Sequence, residues 1–174
     1  MAGATESTLP PPVFERPPRL LIVTAPYYRD IADALLAGAR AAIASAGGEA
    51  EEIAVPGALE IPPAIAAAAR LADHDGYVAL GCVIRGETSH YETVCNESAR
   101  GLMQLGLSGL AIGNGILTVE THEQARVRAE VAGQDKGGGA ALAALHLIAL
   151  GRNWAGRGRG AGFARDRLAP GAGA

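Results

Sequence analysis

The stretch GYVALGCVIRGETSHYETVCNESARGL, residues 76–102, decides how the fold is interpreted. Its first part, 76–86, is an apolar run of the length and composition that favour a strand buried on both faces of a parallel sheet. The part that begins at His90 predicts a helix, so the strand passes into the helix through the polar turn Arg85-Gly86-Glu87-Thr88-Ser89. A hydrophobic core has no need of this turn, whereas a site that holds an anion and moves protons would use it.

The turn itself has the chemistry of an anion site. Ser89-x-x-Glu92 fits a capping box, in which the serine hydroxyl caps a backbone N–H and the glutamate reaches back. His90 is then the first helical residue, and residues 86–88 form a turn where free N–H groups meet the positive end of the helix dipole. Ligands of open parallel sheets bind beyond the carboxyl ends of the strands, where this turn lies. The dipole disfavours a protonated imidazole, which favours His90 as a proton acceptor near neutral pH. The alternative is a surface histidine after an ordinary capped turn.

Strands and helices alternate along the rest of the chain. Apolar runs bounded by turn residues predict strands at 19–24, 50–57, 76–86 and 110–118. Amphipathic or alanine-rich segments predict helices at 27–48, 58–72, 90–102, about 121–132 and 140–150. This alternation predicts an α/β fold, a three-layer αβα sandwich around a four-stranded parallel sheet in a single domain.

We expect a Pro-rich N-terminal arm, one α/β domain and a Gly/Arg-rich flexible tail, at 1–18, 19–150 and 151–174. The tail contains five Arg and one Asp, a local charge of +4 in a chain of net charge −3, so residues 1–150 carry −7. An acidic body argues against a nucleic-acid enzyme, whose binding surface would be basic. The alternative for the tail is an RNA contact, although its composition favours a disordered terminus.

The chain lacks the usual signals of export or membrane insertion. Its N-terminus has no basic region followed by an apolar one, and no apolar run approaches the roughly 20 residues that span a bilayer. Cys82 and Cys95 have neither metal-ligand nor redox-motif spacing, and we interpret them as reduced core thiols of a cytoplasmic protein. No residue cluster has metal-ligand spacing, and neither GxGxxG nor GxxxxGK[ST] occurs.

Three further segments carry candidate site residues. Glu60 follows the second strand and suits the binding of hydroxyl groups, or is a first-turn acid that the helix dipole favours. Tyr27-Tyr28, in a chain with 4% aromatic residues, suggests a stacking platform after the first strand, or a tyrosine packed under a loop. Arg128 and Lys136 add positive charge near the last helices. Lys136 is the only lysine of the chain, which suggests a specific point charge, with a solvated surface lysine as the alternative.

Taken together, these segments resemble lumazine synthase over residues 19–150. The resemblance rests on the motifs PGALEIP (56–62), GCVIRGETSHYETVCNESARGL (81–102), GILT with EQA (115–118 and 123–125), and DKGGGAA (135–141). It implies a flavodoxin-like fold and a role in riboflavin biosynthesis. The implied transferase reaction condenses 5-amino-6-(D-ribitylamino)uracil with 3,4-dihydroxy-2-butanone 4-phosphate to 6,7-dimethyl-8-ribityllumazine, phosphate and water, without a metal or cofactor. The implied assembly is a homopentamer, or several pentamers, with each site shared between adjacent subunits. We expect no nucleic-acid or membrane partner.

The resemblance also implies roles for individual residues. His90 matches the proton-transfer histidine of the family. The positions that match the phosphate site are Glu87, Thr88 and Arg128. Tyr27 matches the ring that stacks on the pyrimidine, and Val83 and Ile84 match the walls of the heterocycle pocket. The remaining substrate-binding positions are Ala58, Leu59 and Glu60 for the ribityl chain, Asn114 from the neighbouring subunit, and the active-site lysine Lys136.

The chain departs from the family pattern at several of these positions. Tyr27 replaces a more usual Phe, which preserves stacking. Asn114 stands where many members have a Phe, so one wall of the pocket becomes more polar. Glu87 replaces a frequent Ala, and its carboxylate must point away from the phosphate or weaken its binding. The loop within 126–139 also differs, and in the family this loop bears on whether pentamers form sixty-subunit shells.

Two alternatives of other classes stay open at this level. A weakly active or non-catalytic member would bind lumazine or flavin tightly without accelerating the condensation, and Asn114 and Glu87 motivate that hypothesis. A flavodoxin-like regulator would bind a phosphorylated metabolite, ignore the aminouracil and need a partner protein.

Overall fold

A computed structural model of the chain describes residues 9–157. Residues 1–8 of the predicted arm and 158–174 of the predicted tail lie outside the described part. The strands are β1 (Arg19–Thr24), β2 (Glu49–Ala54), β3 (Gly76–Ile84) and β4 (Ile112–Val119). The helices are α1 (Arg29–Ser45), α2 (Ile61–Leu71), α3 (His90–Leu107), α4 (His122–Ala129) and α5 (Lys136–Arg157), and a 3₁₀ turn at Ala58–Glu60 precedes α2. Residues 9–18 contain no helix or strand.

The strands form one parallel sheet in the order β2-β1-β3-β4. One core cluster joins the sheet to α1, α4 and α5, and a second joins it to α2 and α3. The predicted three-layer α/β fold with a four-stranded parallel sheet is therefore confirmed. No helix within residues 9–157 is both long and apolar enough to cross a bilayer.

The position of β3 inside the sheet explains its sequence. β3 pairs with β1 on one side and β4 on the other, and its first seven residues are buried. A parallel strand covered on both faces needs a continuous apolar run instead of an alternating one. At its far end, Arg85 extends the ladder by donating its backbone N–H to the carbonyl of Val119 at 2.9 Å. The core strand thus delivers the polar turn to the carboxyl edge of the sheet.

The helices on one face pack closely because their contact residues are small. The predicted apolar stripe of α1 is buried at Ile31, Leu35, Ala39 and Ile43. On β4, Gly113 lies so near α5 that an added Cβ would be 1.8 Å from the carbonyl oxygen of Ala140. α1 ends before Gly47, whose φ of +69° is in the left-handed region that glycine tolerates.

The last helix is longer than the sequence predicts. α5 begins at Lys136 instead of residue 140 and continues to Arg157, so the boundary expected at residue 151 is wrong for 151–157. Arg152 explains the extension, because its guanidinium pairs with Asp75 at 3.0 Å and donates to the carbonyl of Arg16 at 2.6 Å. The same guanidinium lies 5.3 Å from the centre of the Phe14 ring. These contacts hold the end of α5 against the amino edge of the sheet.

Candidate active site

A cavity of about 540 Å³ opens at the carboxyl edge of the sheet. It lies between the segment after β1, the segment between β2 and α2, and the β3–α3 turn. The predicted site residues that line it are Tyr27, Ala58, Leu59, Glu60, Val83, Ile84, Thr88 and His90. Parallel strands bring these separate segments to one edge, as the sequence predicts. The candidate proton-transfer residue and the candidate ribityl- and ring-binding residues thus face one space.

His90 is the first residue of α3, at the rim of the cavity and exposed. Its backbone N–H faces the Thr88 hydroxyl oxygen, with 3.4 Å between nitrogen and oxygen, a long and weak hydrogen bond. Since the helix dipole places positive potential here, an anion held at this turn would lie beside the imidazole. The arrangement can bind a phosphate group and exchange protons at adjacent positions.

The predicted capping box is wrong in its hydrogen bonds, although Ser89 does occupy the N-cap position. The Ser89 side chain makes no capping hydrogen bond, because its φ of −67° and ψ of −1° are already helical, whereas a capping side chain needs an extended backbone. Glu92 does not reach back either, since its carboxylate pairs with Arg85. By contrast, the hydroxyl of Thr121 caps the start of α4, because it accepts a hydrogen bond from the backbone N–H of Gln124 at 3.2 Å.

The aromatic pair after β1 forms one side of the cavity. The rings of Tyr27 and Tyr28 meet edge to face with 5.0 Å between centroids, and Tyr27 is 76% exposed. Tyr28 is half-buried and lies edge-on to His122, which pairs with Asp30 at 3.0 Å. Burial, with smaller contributions from Tyr27 and Cys82, raises the pKa of the Tyr28 phenol. Tyr28 is therefore a neutral, anchored ring, while the face of Tyr27 is available to a ligand.

The segment after β2 turns sharply at Gly57. An added Cβ at this residue would be 3.0 Å from a carboxylate oxygen of Glu60, so the absence of a side chain leaves room for that carboxylate. Ala58 is buried, whereas Glu60 is exposed at the cavity rim. A carboxylate on a small-residue turn is well placed to accept hydrogen bonds from hydroxyl groups of a ligand.

Further residues line the cavity that sequence reasoning did not assign to the site, notably Tyr91, Val94 and Cys82. The sequence feature that could have assigned them to the site is their position, because Tyr91 follows His90 directly and Cys82 precedes Val83 and Ile84 at the end of β3. Burial raises the pKa of the Cys82 thiol to about 11, so the wall at this point is neutral. The prediction of two core thiols holds for Cys82 but is wrong for Cys95, which is only half-buried.

Other predicted site residues do not line this cavity. Glu87 is exposed and is not among the lining residues, although Gly86 and Thr88 on either side of it are. Its side chain therefore does not form part of the cavity wall. Arg128, on α4, is half-buried and donates to the carbonyl of Gln124 at 3.0 Å.

Asn114 and Lys136 also lie outside the cavity of their own chain. Asn114 on β4 pairs in register with Ala79 on β3. The residue of β3 at which the cavity begins is Cys82, about 10 Å further along the strand at the usual rise per residue. Asn114 is exposed, and its side-chain oxygen accepts a hydrogen bond from the backbone N–H of Ile116 at 3.0 Å. Lys136 is the half-buried first residue of α5. One copy of the chain thus supplies part of the predicted site.

Comparison with known proteins decides the family. The sequence profile described as 6,7-dimethyl-8-ribityllumazine synthase matches residues 17–152. A protein of that name from Jannaschia sp. (strain CCS1) is 54% identical over 154 residues, which cover 88% of this chain and 86% of the relative. The namesake from Novosphingobium aromaticivorans is 60% identical over 136 residues, 78% of this chain and 98% of the relative. The protein of the same name from Methylorubrum populi is 62% identical over 140 residues, which cover 77% of this chain and 83% of the relative.

The chain belongs to the 6,7-dimethyl-8-ribityllumazine synthase family. The resemblance inferred from the motifs is thereby confirmed. The profile of the ribityllumazine synthase family begins within the predicted arm and ends inside α5, so it spans every strand of the sheet. It therefore also spans every segment that lines the cavity. Within residues 9–157, no group of three or more His, Cys, Asp or Glu side chains is placed to hold a metal ion.

Proposed function

We propose that the chain makes 6,7-dimethyl-8-ribityllumazine in the cavity at the carboxyl edge of its sheet, with His90 as the group that transfers protons. The observation that supports this most directly is that His90 and Thr88 share one cavity with Tyr27 and Glu60. A proton-transfer group, an anion-binding turn, an aromatic face and a hydroxyl acceptor are what condensation of a ribitylated pyrimidine with a phosphorylated ketone requires. Family membership supports the same reaction and gives no support to the non-catalytic alternative.

The aminouracil would lie on the side of the cavity formed by the segment after β1 and the segment between β2 and α2. Tyr27 offers an exposed ring face for stacking on the pyrimidine, and the half-buried Val83 and Ile84 offer apolar contact to the heterocycle. The segment 58–60 would hold the ribityl chain, with the Glu60 carboxylate accepting hydrogen bonds from its hydroxyls. This placement directs the reacting amine towards His90.

The phosphorylated ketone would place its phosphate at the β3–α3 turn. Thr88 supplies a hydroxyl, and the first N–H groups of α3 supply donors and positive potential. Glu87 would contribute through its backbone, since it does not line the cavity itself. Arg128 and Lys136 would complete the charge balance from an adjoining subunit, and Asn114 would form part of the pocket wall from there.

His90 has several proton transfers to assist in this reaction. Imine formation between the amine and the ketone releases water and needs proton exchange at the departing oxygen. Removal of a proton from the neighbouring carbon then permits loss of phosphate. The enol left by this loss becomes a ketone when a proton moves to its terminal carbon, and the ribityl-bearing nitrogen closes the ring at that ketone with another exchange as a second water leaves. An imidazole beside the phosphate turn can accept and return a proton in each step.

We propose that the working form is a cytoplasmic homopentamer, or an assembly of pentamers, with each site shared between neighbours. Two observations support sharing. Asn114, Arg128 and Lys136 do not line the cavity of their own chain. All six residues of the edge strand β2 are exposed, which leaves a strand edge for another copy to cover.

Lumazine formation, followed by its absorbance, tests the proposed function. The purified chain should produce lumazine faster than the uncatalysed condensation, and equal rates would reject the proposal. Tight binding of lumazine or riboflavin without acceleration would indicate the non-catalytic alternative. His90→Ala should lower kcat at least about tenfold, below the usual effect of a general acid–base because water can relay protons at an exposed site. Binding of product, measured by fluorescence, should change little in this variant.

A further inference from the structure

Arg85 makes ionic contacts that tie the β3–α3 turn together. Its Nε donates to both carboxylate oxygens of Glu120, at 3.1 Å and 2.8 Å, and its Nη1 donates to Glu92. Its guanidinium also lies over the ring of Tyr91, 4.2 Å from the centroid. The two carboxylates belong to different segments, the first turn of α3 and the residue after β4. Arg85 itself does not line the cavity, although Tyr91 does.

These contacts determine where the Glu92 carboxylate lies. Glu92 is the third residue of α3, the position from which a glutamate reaches back to the N-terminal N–H groups in a capping box. It does not do so here, and the Ser89 hydroxyl makes no capping bond either. The pairing with Arg85, and secondarily its own backbone N–H, holds the pKa of Glu92 below its usual range, so the carboxylate stays ionised. The chain thus keeps a negative charge beside the helix start that is paired with Arg85 and is not directed to the N–H groups that precede Glu92.

A carboxylate that returned to the start of α3 would compete with a bound phosphate. It would use the same N–H groups and the same positive potential, and it would add like charge. We propose that Arg85 is a positioning residue for phosphate binding, which holds the Glu92 carboxylate away from the N–H groups that precede it at the start of α3 and so leaves them free for the phosphate of the substrate. The identity of that substrate rests on the proposed function, whereas the competition between the two anions does not.

The contacts of Arg85 also support the cavity wall beside His90. The guanidinium covers one face of Tyr91, which follows His90 in the first turn of α3. Glu120 connects the same guanidinium to α4, because its backbone N–H donates to the side-chain oxygen of Gln124 at 2.9 Å. Arg85 therefore links the end of β3, the start of α3 and the start of α4 around one charge.

The test uses Arg85→Gln, the double variant Arg85→Gln/Glu92→Gln, and inorganic phosphate as the probe. Arg85→Gln releases Glu92, so phosphate affinity by calorimetry should fall about five- to tenfold, as expected for one extra negative charge near a phosphate. The KM for the phosphorylated ketone should rise by a similar factor, more than the KM for the aminouracil. In the double variant the freed side chain is neutral, and both quantities should return to within about twofold of the original.

A matched control and an alternative variant keep the test decisive. Arg100→Gln removes another exposed Arg–Glu pair of α3, that with Glu97, and should leave phosphate affinity unchanged. Should Arg85→Gln fold poorly by circular dichroism, Arg85→Lys takes its place; a lysine cannot engage both carboxylates through a planar fork, and it should give an intermediate loss that Glu92→Gln again reverses.

The outcomes separate this inference from the proposed function. Unchanged phosphate affinity in Arg85→Gln, or a double variant as weak as the single one, would overturn the inference; the second result would mean that Arg85 binds phosphate directly or supports the fold. If the unaltered chain made no lumazine, the proposed function would fail. A loss in Arg85→Gln that Glu92→Gln reverses would, in that case, still establish the competition for the helix start.

Discussion

Tyr27 offers a ring face to solvent at the rim of the cavity. It is 76% exposed, and the edge-on ring of Tyr28 lies 5.0 Å from it between centroids. An exposed ring at a cavity rim contributes little to folding, so its face remains available for stacking. The hydroxyl that distinguishes it from the phenylalanine more usual in the family lies at the edge of the ring, away from the stacking face.

Replacing Tyr27 by Ala should therefore raise the KM for the aminouracil about three- to tenfold, the range of a single aromatic contact. Tyr27→Phe is the matched control and should stay within about twofold, since it keeps the ring and removes only the hydroxyl. Steady-state kinetics with the aminouracil varied at saturating ketone measures both. Equal effects of the two substitutions would assign the role to the hydroxyl instead of the ring.

The contacts of single residues also mark where sequence reasoning stopped. The motif located His90 at the helix start correctly, because an apolar strand, a polar turn and a helix pattern follow in order. It could not show that Glu92 pairs with Arg85 instead of reaching back to the backbone N–H of the N-cap, since Ser-x-x-Glu is compatible with both partners. Local patterns specify which groups are near one another along the chain, whereas the competition between hydrogen-bond partners depends on their three-dimensional arrangement.

At the level of elements, hydrophobic periodicity and composition predict the sheet and the positions of most helices. β1 was predicted with the bounds it has, Arg19–Thr24, and the order of strands and helices is confirmed. Continuous apolar runs and a stripe at every fourth residue are direct consequences of burial. The end of α5 was missed because contacts with Asp75 and Phe14, distant in sequence, continue the helix past Gly151.

The packing of β4 against α5 leaves no space at Gly113. Gly113→Ala places a Cβ 1.8 Å from the carbonyl oxygen of Ala140, and backbone must move to accept it. We expect a loss of about 3 kcal/mol in the free energy of unfolding, at the upper end for overpacking. Gly106→Ala in α3 meets open space and should be neutral or stabilising by up to about 1 kcal/mol. Urea unfolding measures both, and similar values for the two variants would contradict this account of the helix–sheet contact.

Asp75 joins three parts of the chain at the amino edge of the sheet. It accepts a hydrogen bond from the backbone N–H of Arg19 at 2.8 Å and pairs with Arg16 and Arg152 at 3.1 Å and 3.0 Å. Burial alone would raise its pKa, but these hydrogen bonds and charges outweigh burial and lower the pKa below its usual value. The stabilisation is therefore fully present above the unfolded pKa of about 4 and is lost as pH falls through the folded pKa.

Asp75→Asn should accordingly lower the free energy of unfolding at pH 7 by about 1–3 kcal/mol, because it removes a charged acceptor from a partly buried site. The difference from the original chain should narrow as the pH falls from about 4, the unfolded pKa, through the lower folded-state pKa at which Asp75 becomes protonated in the native chain. Asp73→Asn is the control, since Asp73 is fully exposed and its ionic contact with Arg19 is long, at 3.9 Å. This substitution should lower the free energy of unfolding by less than about 0.5 kcal/mol. A difference for Asp75→Asn that grew in acid would contradict the sign of the pKa shift.

For the whole molecule, one copy of the chain forms a cavity but does not bring every predicted site residue to it. The segments after β1, β2 and β3 meet because the carboxyl ends of parallel strands lie at one edge. Asn114, Arg128 and Lys136 are absent from that cavity. Sequence patterns indicate the edge or helix on which a residue lies, but not whether it acts in its own copy or the next. Sharing of the site between neighbours remains the proposal that accounts for this division.

Mixing two variants of low activity tests that division. His90→Ala disables the side of the site that a chain supplies to its own cavity, and Arg128→Ala disables the side we assign to its neighbour. In mixed oligomers an interface with both original residues arises wherever the intact halves meet, so about a quarter of the sites should recover activity after random co-assembly at equal amounts. His90→Ala mixed with Glu60→Gln is the matched control, because both changes lie in one cavity and their mixture creates no interface with both residues intact. Lumazine absorbance after joint refolding measures the recovery. A site contained within one chain would give no recovery in either mixture, since no exchange of subunits could then reunite His90 with Arg128.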